Sequence, residues 1–317
     1  MIRKAVIPAA GLGTRMLPLT KTQPKEMLPL GRKPCIQYIV EELASVGVKQ
    51  ILFVTGQKKR AIEDHFDKDN ELERLLSMSG QKDILGELKF EDMDVSFFYT
   101  RQSIQAGLGH AVNCARDFVG NDPFIIALGD SIICSKENKI LLQRMIEQYE
   151  ASSASSIATI NSIASSSTNA HANCNADTFV IGTRNVPIED VHKYGIIKPA
   201  GEVNDGVAEI KDLVEKPSPQ NAPSTLAIAA RYIMPGRIFD ALTRTSPGKG
   251  GEIQLTDAIR LLLKEGCKGY SVSLTEREKR YDIGNIQSYY EAFVDFALND
   301  EKYGYKLKQY IIDRFNL

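Results

Sequence analysis

From Gly11 to Lys25 the chain reads GLGTRMLPLTKTQPK, setting two glycines, an arginine and a lysine along one short stretch. Glycines let backbone amides approach a phosphate closely and turn their donors toward it. Arg15 adds a planar fork that can bridge two phosphate oxygens, and Lys25 a compact charge on a flexible stem. Pro18, Pro24 and Pro29 stiffen the segment, so both cations could be held over one site. Such a set suits a triphosphate whose charge rises at a reacting phosphorus. A dinucleotide fingerprint needs a third glycine where Met16 stands, and Pro18 would interrupt the helix that should follow at once. No phosphate loop ending in Gly-Lys-Ser/Thr is present. A tight turn without a ligand explains the two glycines alone, but not the cations beside them.

These residues need a frame. The 317 residues suffice for one large α/β domain with elaborations or for two ordinary domains. The chain is 43% apolar and 25% charged, the profile of a soluble globular protein. Its 39 Lys and Arg nearly balance its 40 Asp and Glu, which leaves no global footprint for nucleic acid or a membrane surface. Any anion site must be local. The five cysteines, Cys35, Cys114, Cys134, Cys174 and Cys267, are scattered and suggest neither a zinc knuckle nor a disulfide framework. The four histidines lack metal-ligand spacing. No apolar run has transmembrane length, and the one behind Arg3 and Lys4 breaks at Gly11, too soon for a signal peptide. A cytoplasmic protein is expected.

Apolar bursts predict strands at Lys4–Ala9, Gln50–Thr55, Val95–Thr100, Phe124–Leu128, Phe179–Gly182, Leu226–Met234 and Tyr270–Leu274. Helical patterns fall at Cys35–Val46, Arg60–Phe66, Gly109–Phe118, Ile140–Tyr149, Glu252–Leu263, Ile286–Leu298 and Lys302–Asp313. Runs such as ILFVT and FIIAL suit strands buried on both faces of a parallel sheet. The alternation predicts a doubly wound, Rossmann-like sheet with helices on both sides. The Ser-, Ala- and Asn-rich stretch Ala151–Asp177 reads as a solvent-exposed or mobile insertion. Aromatic residues along the last two helices suit ordinary packing or an oligomer contact.

Several motifs now line up. GLGTRMLPLTKTQPKEMLPL followed by KP, then RQSIQAGLGHAV, YGII, VEKP and GEIQLTDAI, resemble in one collinear series the sugar-1-phosphate nucleotidylyltransferases. The matches span Ala9 to Gly284 and lie nearest the uridylyl-transferring members. The resemblance implies the nucleotide-diphospho-sugar transferase fold: an α/β architecture with a mixed, mostly parallel sheet. It implies one domain over 1–317, with a nucleotide half to about 135, a sugar half at about 178–284, and C-terminal helices beyond. It implies the substrates UTP and glucose 1-phosphate, a Mg²⁺ cofactor, and a homo-oligomer, either dimer or tetramer.

Residue roles follow from the same resemblance. Asp130, closing FIIALGD at the carboxyl end of a strand, and Asp282, in RYDIGN, are the implied metal pair. A lone aspartate would more simply cap a helix or turn. Arg15, Lys25 and Lys216 are the implied catalytic cations. Ala9, Ala10, Gly11, Gly13, Glu26, Gln102 and Gly107 frame the nucleotide; the Gln102 amide offers the donor and acceptor that a uracil or thymine edge needs. Glu215 and Lys216 of VEKP would take sugar hydroxyls and the 1-phosphate, with Gly195 of YGII leaving room for the hexose. Glu252 opens a helix bordering that pocket or merely caps it. His110 reads as a structural helix residue, because a phosphate nucleophile is already ionised.

The chain departs from the uridylyl pattern at Ala230, where a glycine usually precedes Arg-Tyr, in LGRKP, and in the Ser-rich insertion. Two rivals stay open. One is the same chemistry with another triphosphate or hexose phosphate; the other is a non-catalytic sugar-nucleotide sensor.

Overall fold

The computed structural model describes residues 1–164 and 178–315. Its strands up to residue 135 are β1 (Lys4–Pro8), β2 (Pro29–Leu30), β3 (Lys33–Pro34), β4 (Gln50–Thr55), β5 (Ser96–Arg101), β6 (Phe124–Ala127) and β7 (Ser131–Ser135). Beyond these lie β8 (Thr178–Asn185), β9 (Gly195–Pro199), β10 (Val207–Glu215), β11 (Leu226–Met234), β12 (Lys268–Ser273) and β13 (Glu278–Asp282). Nine of them form one sheet in the order β5-β4-β1-β6-β11-β8-β12-β10-β9. The pairings make this a mixed sheet in which only β10 and β11 run against the other seven.

Alternation along the strands builds a core on each face. Ala5, Ile7, Ile51, Phe53, Ile125 and Ala127 pack on one side of the sheet with the helix Cys35–Ser45. Val6, Leu52, Val54, Phe124 and Ile126 face the other side with the helices Ile238–Arg244 and Leu255–Lys264. This is the period of two expected where both faces are covered, and it explains why these strands read as unbroken apolar runs.

The chain leaves β1 for β4 and β5 on one side, then returns to β6 on the other. That reversal opens a crevice beyond the carboxyl ends of β1 and β6. Ala9–Ala10 and Leu128–Asp130 follow those two ends, so topology aims both segments at one place.

Several expected boundaries move. Gly109–Phe118 divides into the short helices Leu108–Asn113 and Arg116–Val119. The helix expected from Glu252 starts at Leu255. The first part of the insertion expected from Ala151 is helical, because the helix begun at Leu141 continues through Ala164. Its Ser and Ala residues include no proline or glycine that would stop it. The remainder of that insertion, with Cys174, lies outside the described residues. Among the described residues no helix is long and apolar enough to cross a membrane, and Cys35, Cys114 and Cys134 are free thiols.

Candidate active site

The opening motif folds as three single 3-10 turns, Thr14–Met16, Leu19–Lys21 and Lys25–Met27, with prolines supplying fixed φ at Pro18 and Pro24. Gly13 takes the left-handed conformation at φ 68°, and its carbonyl accepts from Thr20 Oγ1 at 2.7 Å. The third turn carries Lys25 to Asp130, where Nζ donates to Oδ2 at 2.5 Å. A Cβ on Gly11 would stand 3.7 Å from that ammonium, so the glycine lies directly beside the cation. Burial pulls the Lys25 pKa down, but Asp130, Glu26 and Asp282 outweigh it and hold the ammonium above its ordinary range. Burial pushes Asp130 up, yet Lys25 and Arg280 hold its carboxyl below the usual value. Both groups therefore stay charged at neutral pH.

Glu26 is only 1% exposed, and its carboxylate accepts from Lys59 Nζ at 2.7 Å. Its Cγ would lie 3.2 Å from a Cβ on Gly129, which wedges this buried pair beneath the segments bearing Lys25 and Asp130. Glu26 thus faces Lys59 and the loop interior, not the open cavity.

The two aspartates are brought side by side by the antiparallel pairing of two strands distant in the chain, β7 and β13. In the β7–β13 register Asp282 pairs with Ser131, and Ile283 N donates to the Asp130 carbonyl at 2.8 Å. A Cβ on Gly284 would stand 2.7 Å from Asp282 Oδ1 and 3.1 Å from Arg15 Nη2, so only a glycine lets carboxylate and guanidinium close over this turn. Among the described residues no set of three or more His, Cys, Asp or Glu side chains converges as a metal cage. Two carboxylates at a cleft fit a hard cation that completes its shell with phosphate oxygens and water.

Beyond them opens a cavity of about 840 Å³, lined by Arg15, Asp130, Gly195, Glu215, Lys216 and Asp282 among others. Glu215 Oε2 accepts from Thr256 Oγ1 at 2.6 Å, which fixes one carboxylate oxygen. A Cβ on Gly195 would stand 3.2 Å from that oxygen and 2.8 Å from Ile228 Cδ1, so a side chain there would crowd the carboxylate. Lys216 sits in left-handed backbone at φ 46°, its amide donating to the Tyr194 carbonyl at 3.0 Å. Ala230, at φ 63°, lies where β11 bulges between Ile228 and Tyr232 and also lines the cavity. Glu252 does not; the residues lining the cavity from that segment are Gln254, Leu255 and Thr256.

The residues expected at the base lie apart from this lining. Gln102 Nε2 donates to the Gly107 carbonyl at 3.1 Å and lies 2.9 Å from His110 Nδ1. Both amide protons are thereby engaged, leaving the side-chain oxygen for any external partner. Gly107, at φ 94°, has no room for a side chain, since a Cβ would meet Glu252 Cβ at 2.7 Å. Ala9 N donates to the Val54 carbonyl at 2.9 Å and extends the sheet. The Ala10 carbonyl accepts from Gln105 Nε2 at 2.9 Å.

Sequence reasoning missed Thr256, Lys59, Tyr194 and Arg280. Arg280 carried a signal: it stands two residues before Asp282, on the same face of β13. Its Nε donates to Ser131 Oγ at 2.6 Å and its Nη2 to Asp282 Oδ2 at 2.9 Å. Nothing in the local pattern around Lys59 marks its pairing with Glu26.

A glycine turn flanked by cations at a topological switch point, two carboxylates and a carboxylate–lysine pair in one cleft suit a nucleotide-handling α/β enzyme. The chain belongs to the nucleotidyl transferase family, whose model matches residues 4–169 and 165–298. It is 41% identical over 310 residues to UTP–glucose-1-phosphate uridylyltransferase 1 of Staphylococcus saprophyticus, covering 98% of each chain. A UTP-bound UGPase from Acinetobacter baumannii superposes with TM-score 0.83 at 34% identity, covering 98% of this chain and 99% of that one. A UDP-glucose pyrophosphorylase complexed with UDP-glucose gives TM-score 0.78 at 36% identity, over 93% of this chain and 98% of that one.

Proposed function

We propose that this chain transfers the uridylyl group of UTP to α-D-glucose 1-phosphate, giving UDP-glucose and pyrophosphate reversibly. One observation carries the reading: Arg15, Asp130, the neighbours Glu215 and Lys216, and Asp282, from four distant stretches of the chain, line one cavity. Lys25 joins them through Asp130. The chain in which this happens is full-length kin to uridylyltransferases.

A phosphate oxygen of the sugar 1-phosphate attacks the α-phosphorus of UTP. The bond from that phosphorus to the bridging oxygen breaks, and pyrophosphate leaves with the electron pair. The nucleophile is already an anion, so no general base is required. The task is to bring two anions together and to stabilise the charge growing in line, which positioning and fixed cations accomplish. Arg15 and Lys25 hold the triphosphate against the Gly11–Gly13 turn. Lys216 holds the 1-phosphate, and Glu215, oriented by Thr256, accepts hexose hydroxyls in the space left by Gly195. Ala9, Ala10, Glu26, Gln102 and Gly107 shape the nucleotide side, with the Gln102 oxygen and nearby backbone facing the base. Members of this family generally use a divalent metal. Asp130 and Asp282 would hold Mg²⁺ here, and a bound Mg²⁺ supplies neutralisation of phosphate charge.

The exposed Tyr290, Val294, Tyr310 and Phe315 on the last two helices support a homo-oligomer. Light scattering should give a dimeric or tetrameric mass, and a monomer at micromolar concentration would remove that part. A cytoplasmic location is part of the same reading.

The test of the activity is a matrix of UTP, dTTP, CTP and GTP against several sugar 1-phosphates, read by pyrophosphate release. UTP with glucose 1-phosphate should give the highest kcat/KM. A higher value for another pair would overturn the assignment of substrates, and no release from any pair would overturn catalysis itself.

A further inference from the structure

We propose that Arg280 is a phosphate-binding residue for the acceptor sugar, held in place by Arg184 acting through Tyr194. The proposal rests on the uridylyl-transfer reading and adds a contact to its sugar side. Arg280 and Tyr194 both line the cavity near Lys216 and Glu215. The guanidinium carbons of Arg184 and Arg280 lie over the Tyr194 ring, 5.1 and 5.7 Å from its centroid. Arg184 Nη2 donates to the Tyr194 hydroxyl at 3.0 Å, and the Tyr194 carbonyl accepts the Lys216 amide. One aromatic residue thus ties two arginines to the lysine expected to meet the 1-phosphate.

The donors of this cluster are incompletely used. Arg280 gives Nε to Ser131 and Nη2 to Asp282, but its Nη1 is buried with no hydrogen-bond partner. Arg184 Nε is likewise buried without one. A buried donor left unsatisfied forfeits its solvation with nothing in return, so two in one cluster demand a reason. Charge points the same way. Arg280 has the Asp282 carboxylate, whereas Arg184 forms no ion pair among the described residues and leans on a neutral hydroxyl. Burial first, and then the Arg280 charge, pull the Arg184 pKa below its ordinary range. An arriving phosphate dianion relieves that repulsion and accepts the spare donor. Guanidinium geometry favours such an anion, because a planar fork matches two phosphate oxygens. Tyr194 joins the cluster to Lys216 and thereby to the sugar phosphate. Asp282 joins Arg280 to the Arg15 side as well, and the two KM values below distinguish the phosphates.

The test is steady-state kinetics of Arg280→Met, Arg280→Lys and Arg184→Met. Losing one charge-assisted bond should raise KM for glucose 1-phosphate about tenfold or more in Arg280→Met, while KM for UTP stays within about twofold. Arg280→Lys should recover part of the loss, and Arg184→Met should raise the same KM by a smaller factor. A fall in kcat alone, or an equal rise in both KM values, would overturn the proposal and leave Arg280 as a support for Asp282. Thermal unfolding with glucose 1-phosphate, without triphosphate, separates the two readings. If the parent protein shows no transfer activity but is stabilised by glucose 1-phosphate, and Arg280→Met is not, the phosphate contact stands while the activity falls. Equal stabilisation of parent and variant overturns the contact.

Discussion

Ala230 occupies left-handed backbone at φ 63° in a bulge of β11, a conformation that costs a residue bearing a Cβ about 1–2 kcal/mol. The usual glycine at this point of the resembling family has that physical reason. Ala230→Gly should therefore raise the urea midpoint by an amount worth about 0.5–1 kcal/mol, once the entropy of the freer unfolded chain is deducted. A lower midpoint would mean that packing of the Ala230 methyl outweighs its strain. Lys216, at φ 46°, is held in similar backbone and lines the same cavity. Lys25 is the residue most directly tied to an electrostatic task. Lys25→Met should lower kcat by roughly 100-fold or more while the circular dichroism spectrum stays that of the parent. Near-parental turnover would show that the ammonium serves only Asp130.

Among the elements, the glycine turn before Leu108 and the segment before Leu255 fold against each other. Gly109 N donates to the Ile253 carbonyl at 2.9 Å, and Ile253 N donates to the Ala106 carbonyl at 2.8 Å. A Cβ on Gly109 would stand 2.7 Å from that carbonyl oxygen. Gly109→Ala should push the two segments apart and cost about 1–3 kcal/mol, measurable by urea unfolding, with activity falling as Thr256 shifts from Glu215. Unchanged stability and activity would show that the loop yields without consequence. The buried Lys59–Glu26 pair likewise ties distant segments together, beneath Lys25 and Asp130. Lys59→Met leaves the Glu26 carboxylate without its partner and should cost about 3–5 kcal/mol by the same assay. A loss below about 1 kcal/mol would show that Glu26 simply protonates, the direction in which burial already pushes it.

For the molecule as a whole, the central question is what depends on the metal. The two aspartates are already neutralised within the chain, Asp130 by Lys25 and Asp282 by Arg280. The fold should therefore survive chelation while transfer does not. With EDTA in excess, pyrophosphate release should cease and the thermal midpoint should hold, with Mg²⁺ restoring activity. Loss of the midpoint along with activity would make the cation a structural one.

Local pattern was enough to place the strands Gln50–Thr55 and Leu226–Met234, which are near-continuous apolar runs buried on both faces, and the helices Arg60–Phe66 and Ile286–Leu298, whose buried residues recur at helical spacing. The glycines, Arg15 and Lys25 were likewise legible, since the chain brings them together over one short stretch. The helix through Ala164 was not, because small polar residues permit a helix without announcing one. The cavity itself was decided only in three dimensions. Asp130 and Asp282 meet because β7 and β13 pair; Glu26 turns inward because Lys59 arrives from the loop after β4; Arg280 acquires its role from Tyr194 and Arg184. A sequence fixes which charges a chain owns and which way each strand faces. Which charges become neighbours depends on contacts between distant segments, and those contacts exist only once the sheet has closed them together.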